Sequence, residues 1–169
     1  HGFLMSEETL QLMKDNDVWL SIQPLLNDED AFTFDDPFST AKWIAVTDAT
    51  NSIYPMARDM GVKIAFGTDR LFDPATAEKQ GKFLAKLGNW FTPYETLKMA
   101  TSTNAELLEL AGPRHPYQAG PLGEISEGAY ADLILVDGNP LEDLDLVADP
   151  QENFDLIMKD GVIYKNTLD

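Results

Sequence analysis

Three residues of chemically capable type stand where the chain leaves a structural element. His1 precedes Gly2 and a helix-forming stretch, Gln23 closes an apolar run at Gln23-Pro24, and Asp69 closes another within Gly67-Thr68-Asp69. Imidazole and carboxylate are side chains that hold divalent metals and move protons, and a primary amide orients a substrate by hydrogen bonds. Each also has a plainer reading: a surface histidine, a strand-capping amide, and an aspartate that caps a turn or a following helix. What groups them is position. Parallel sheets and barrels place their chemistry at the carboxyl ends of strands, and that rule selects His1, Gln23 and Asp69 together.

The elements that must position them are legible as an alternation. Ser6-Glu7-Glu8-Thr9 opens a short helix with carboxylates in its first turn, where the helix dipole favours them. Val18 to Ile22 is rich in strand formers and stops at Pro24; the acidic, Phe-containing segment from Asn27 to Pro37 reads as a loop. Thr40 to Met60 predicts a longer helix ending at Gly61, and Val62 to Phe66 a second strand. Thr76 to Leu87 has helical composition. Thr92-Pro93-Tyr94-Glu95 and Thr103-Asn104-Ala105-Glu106 then predict two capped short helices, stopped by Gly112-Pro113. Strands alternating with helices argue for βα units and a parallel sheet.

After Gly120 the texture changes to short strand runs: Leu122 to Ile125, Ala131 to Val136, and Phe154 to Lys159 joined through Asp160-Gly161 to Val162-Ile163-Tyr164. Asp-Gly between apolar runs signals a tight hairpin. The reading is an α/β part over residues 1–115 and a small β domain over 116–169.

Composition narrows the function classes. The chain has 169 residues, 44% of them hydrophobic, which suffices for a packed core. A net charge of −17 repels phosphate backbones and anionic lipid, so neither nucleic acid nor membrane is expected as a partner. No apolar run approaches the ~18 residues needed to span a bilayer. Without cysteine there are no disulfides, thiolate zinc sites or thiol nucleophiles. A soluble chain is expected, with cytoplasm and a periplasmic or secreted location both open because the native N-terminus is expected to lie upstream.

Several segments together resemble the metal-dependent amidohydrolases, in the branch of Xaa-Pro dipeptidase-like and imidazolonepropionase-like enzymes. They are His1-Gly2-Phe3-Leu4 with Ser6 to Leu10, Val62 to Asp69, Thr92 to Leu97 with Ala100-Thr101 and Asn104-Ala105, and a tail. The tail is the most specific part: Gly120 to Ile125, Ala131 to Leu141 and Met158-Lys159-Asp160-Gly161. The resemblance implies the last three βα units of a TIM (β/α)8 barrel, followed by part of a composite β-sandwich. It puts His1 at the end of the sixth strand, Gln23 at the seventh and Asp69 at the eighth. His1 is then an implied metal ligand, Asp69 an implied ligand and general acid/base, and Gln23 an implied substrate-facing residue. The implied cofactor is a divalent metal, foremost Zn2+. The implied reaction is hydrolysis of an amide or other C–N bond by metal-activated water, in a dipeptide-like substrate, a cyclic amide or a carbamate.

The family's remaining ligands have no counterpart here, and a catalytic zinc site takes three protein ligands plus water. The 169-residue chain alone is therefore expected to be inactive and to need the missing N-terminal part of the same enzyme. A homo-oligomer is also expected. A different reading is a catalytically inactive half-barrel acting as a structural or oligomerising piece, which a clean monomer would count against. A third is an acidic binding module, which predicts no metal even in the complete protein.

Overall fold

The computed structural model describes residues 1–70 and 74–168. Its contacts divide the chain into two compact units, His1–Glu78 and Lys79–Asp169.

The first unit begins with α1 (Glu7–Asp15), whose Ser6 side chain accepts from the Thr9 N–H and whose Leu10 is wholly buried. β1 (Leu20–Ile22) alternates, burying Leu20 and Ile22 and exposing Ser21. It pairs in parallel with β2 (Ile64–Phe66), Leu20 opposite Ile64 and Ile22 opposite Phe66, as the alternation of strand and helix predicts. Between them runs α2 (Pro37–Met60), which starts earlier than Thr40 because Asp36 caps it: the Asp36 carboxylate accepts the Ser39 N–H at 2.8 Å, with Pro37 in the first turn. Thr47, Thr50, Ile53, Tyr54 and Ala57, at spacings of three and four, form its buried stripe. Thr47 and Thr50 are tolerated there because their hydroxyls donate back to carbonyls of Trp43, Ile44 and Val46. α3 (Pro74–Ala77) closes the unit.

In the second unit the helical stretch expected to run to Leu87 is α4 (Gln80–Lys86), continued by a 3-10 turn over Leu87–Asn89. α5 (Pro93–Lys98) has the predicted capping box: Thr92 Oγ1 accepts the Glu95 N–H at 3.3 Å, and Glu95 Oε2 accepts the Thr92 N–H at 2.8 Å. The second box does not form. Thr103 is itself helical (φ −70°, ψ −43°) and caps nothing, and Met99–Thr103 is a wide π turn leading into α6 (Asn104–Glu109).

The tail forms a three-stranded antiparallel sheet of β3 (Leu133–Val136), β4 (Phe154–Lys159) and β5 (Val162–Asn166), with α7 (Pro150–Asn153) leading into β4. Asp160 and Gly161 both have positive φ, 49° and 73°, the geometry of the tight hairpin read from Asp-Gly. Leu122 to Ile125, expected as a strand, is not one. The Tyr130 N–H bonds the Pro121 carbonyl at 3.0 Å, Gly123 turns the chain with φ 71°, and Ile125 is 96% exposed. Leu144, Val147 and Phe154 form a core against Leu84, Ala85, Leu97, Val136 and Ile157. Helices and sheet thus share one apolar cluster, through which α4 and α5 pack against the tail. No helix of the described residues is long and apolar enough to cross a membrane.

Candidate active site

All three residues selected by the sequence lie in the first unit, and their side chains meet. Gly2 has φ 73°, a conformation that glycine adopts without strain, and a Cβ there would fall 2.8 Å from Leu20 Cδ1, so a larger residue would be strained and would displace the Leu20 side chain on β1. β1 delivers Gln23 in a buried position, 7% exposed. Its Oε1 lies 2.5 Å from His1 Nδ1. β2 delivers Asp69, which turns off the strand end with φ 53°, a left-handed conformation that Asp tolerates better than most residues. His1 Nε2 stands 3.8 Å from Asp69 Oδ2, and both side chains are about half exposed, 58% and 50%. The rings of His1 and Phe3 stack with centroids 5.9 Å apart.

The gap between His1 Nε2 and Asp69 Oδ2 is shorter than two metal–ligand bonds end to end, about 4.2 Å for Zn–N plus Zn–O. One ion can therefore be reached by both donors, at an open angle. The donor chemistry fits a divalent metal of the zinc type. It is also a partial set: among the described residues no group of three or more His, Asp or Glu side chains could hold an ion.

Two further residues support these positions, and sequence reasoning passed over both. Tyr54 on α2 is wholly buried and donates from its hydroxyl to the Ile22 carbonyl at 3.2 Å, anchoring the strand end next to Gln23. Burial pushes its phenol far above the ordinary tyrosine value. Arg70, directly after Asp69, is 5% exposed; its guanidinium sits 4.3 Å over the Phe32 ring and donates to the Asp30 carbonyl at 3.4 Å. That ties the loop after β1 to the end of β2. The only available signals were an aromatic at helical spacing and two Phe residues, Phe32 and Phe34, in an acidic loop.

His115, the other histidine, is in the second unit, where its Nδ1 accepts the Tyr117 N–H at 3.1 Å and its ring meets Tyr117 edge-on. It packs within the turn, as its neighbours Arg114, Pro116 and Tyr117 suggest.

A parallel strand pair that brings an imidazole and a carboxylate together at its carboxyl end agrees with the comparisons to known proteins. The amidohydrolase family profile matches residues 8–165, and the chain belongs to that family. Its relatives place it in the Xaa-Pro dipeptidase-like branch. A prolidase complexed with N-methylphosphonate-L-proline superposes with a TM-score of 0.81 at 28% identity, covering 99% of this chain and 40% of that one. A Xaa-Pro dipeptidase with methionine in its active site superposes at 0.74, with 29% identity over 98% of this chain and 39% of its own. The ochratoxinase of Aspergillus niger is 35% identical over 127 residues, 75% of this chain and 24% of that protein. The chain thus spans about a quarter of that curated relative and about two fifths of the structures.

Proposed function

We propose that the full-length protein hydrolyses an amide or other C–N bond in a small substrate with the help of a divalent metal, foremost zinc. The observation that carries this reading is the approach of His1 Nε2 to Asp69 Oδ2, 3.8 Å, at the carboxyl end of a parallel strand pair in an amidohydrolase chain. Residues 1–115 are read as the last three βα units of a (β/α)8 barrel and 116–169 as part of a β-sandwich domain, with strand ends numbered six, seven and eight carrying His1, Gln23 and Asp69. A bound divalent ion would lower the pKa of water to about 7 and polarise the scissile carbonyl. His1 would hold the ion through Nε2. Asp69 would take a proton from the attacking water and deliver it to the leaving amine. Gln23 offers its amide NH2 to the substrate. The dipeptidase and prolidase relatives favour a dipeptide-like substrate; cyclic amides and carbamates are the rivals, since loops after strands outside this chain shape such pockets.

Asp69→Asn in the full-length protein tests the roles: turnover of a dipeptide panel is expected to be lost while much of the metal stays, because an amide can coordinate but cannot accept a proton. Near-full activity would overturn the proton-transfer role. The 169-residue chain alone is expected to show no turnover, since it supplies two donors of a set that needs three.

The exposed apolar residues of the three-stranded sheet, Ile134, Leu135, Val162, Ile163 and Tyr164, favour a second reading, in which the isolated chain associates with a copy of itself as a structural piece. Sedimentation as a monomer would count against it.

A further inference from the structure

The contact between Gln23 and His1 does more than join two site residues. An amide oxygen can only accept, so the hydrogen of the 2.5 Å contact belongs to His1 Nδ1, and the lone pair is left on Nε2. Nε2 is the atom that faces Asp69. His1 is the more exposed partner and Gln23 the fixed one: its side chain is buried, its own carbonyl accepts the Leu25 N–H at 2.8 Å, and the preceding carbonyl is held by Tyr54. The restraint therefore runs from Gln23 to His1. His115 shows that the chain does not impose one tautomer on its histidines. There Nδ1 accepts a backbone N–H, which requires the hydrogen to be on Nε2.

We propose that Gln23 is a positioning residue for His1: by accepting the Nδ1 hydrogen it fixes the tautomer and the ring plane, so that the Nε2 lone pair is presented beside the Asp69 carboxylate. Its use for holding a metal rests on the functional reading above; the tautomer does not. Histidines that ligate metals nearly always donate their second ring N–H to an outer partner, and loss of that partner typically costs 10–100-fold in metal affinity. Gln23 keeps its amide NH2 for a substrate group, so the two roles are compatible.

The first test needs no variant. In the metal-free full-length protein labelled with 15N-histidine, the neutral rings of His1 and His115 are expected to be opposite tautomers, His1 protonated on Nδ1 and His115 on Nε2. A His1 protonated on Nε2 would overturn the proposal. In the full-length protein, zinc affinity is then measured by chelator competition. Gln23→Met should weaken it about 10–100-fold. Gln23→Glu, which can only accept, should keep the Nδ1-protonated form and hold zinc within about threefold of the parent, the same constant serving as yardstick. Unchanged affinity in Gln23→Met, or a loss in Gln23→Glu as large as in Gln23→Met, would overturn it. Opposite tautomers in a full-length protein that binds no zinc would support the Gln23–His1 geometry and overturn the metal reading instead.

Discussion

Replacing Tyr54 by Phe isolates one hydroxyl at the foot of the site. Its donor reaches the Ile22 carbonyl at 3.2 Å, and both residues are fully buried. Removal leaves that carbonyl without its partner, a cost of about 1–2 kcal/mol at pH 8. The sign of the pH dependence follows from the burial. Desolvation raises the folded phenol well above its ordinary 10.0, whereas in the unfolded chain it ionises near that value. Above pH 10 the unfolded state therefore holds fewer protons than the folded state, so stability falls as pH rises, by about 1.4 kcal/mol per unit. Between pH 9 and pH 11 the wild type should lose about 1.4 kcal/mol that Tyr54→Phe does not lose. Urea unfolding followed by tryptophan fluorescence, run on both proteins at each pH, measures this double difference; lysines and the other tyrosines titrate in both and cancel. The expected picture is a wild type clearly more stable at pH 8 and nearly level with the variant at pH 11. Parallel pH slopes would refute the buried neutral phenol, and equal stability at pH 8 would refute the hydrogen bond as the anchor of β1.

Other substitutions test the packing and the caps. Ala in place of Gly inside a helix usually adds about 1 kcal/mol. At Gly81 in α4, however, a Cβ would lie 1.8 Å from the Val147 carbonyl oxygen, so Gly81→Ala should destabilise by about 1–3 kcal/mol. A raised melting temperature would show that α4 does not pack there. Asp36→Ala removes the cap of α2 and should lower the melting temperature at pH 7. The Ser39 N–H holds the Asp36 carboxyl below its ordinary 3.8, so the cap's contribution is present above that value and lost as pH falls through the lower folded one. The gap between wild type and Asp36→Ala should accordingly close in strong acid; a gap independent of pH would mean that charge plays no part in the cap.

The parts of this fold that were legible in the sequence are those decided by neighbours. The apolar run at Val62 to Phe66, the box at Thr92 and the hairpin at Asp160-Gly161 each follow from a few adjacent residues, and each forms. Thr103 to Glu106 spells the same local box, yet the helix continues through a wide turn because Met99 is drawn into the interior and the Thr101 hydroxyl bonds back to Leu97. Leu122 to Ile125 has strand composition, but strands need a partner, and Gly123 and the Tyr130 bond fold the segment away from one. Texture changes near residue 116, but no pattern of adjacent residues announces that Leu144, Val147 and Phe154 pack against α4 and α5.

The site divides the same way. Strand ends mark His1, Gln23 and Asp69 as neighbours, since a strand's direction is a local property and parallel pairing aligns the ends. The chemistry of their contact is non-local: only the fold shows that the Gln23 oxygen is spent on Nδ1 and that Nε2 is the nitrogen left for Asp69. The supports are further removed still. Tyr54 holds the Ile22 carbonyl before Gln23, and Arg70, the residue after Asp69, holds the Asp30 carbonyl in the loop that follows β1. Backbone carbonyls are offered by every residue, so nothing in a sequence says which of them a buried Tyr or Arg will choose. What the fold itself displays is a pair of parallel strand ends carrying Gln23 and Asp69, held by buried neighbours, with the His1 ring between them, its Nδ1 on the Gln23 oxygen and its Nε2 toward the Asp69 carboxylate.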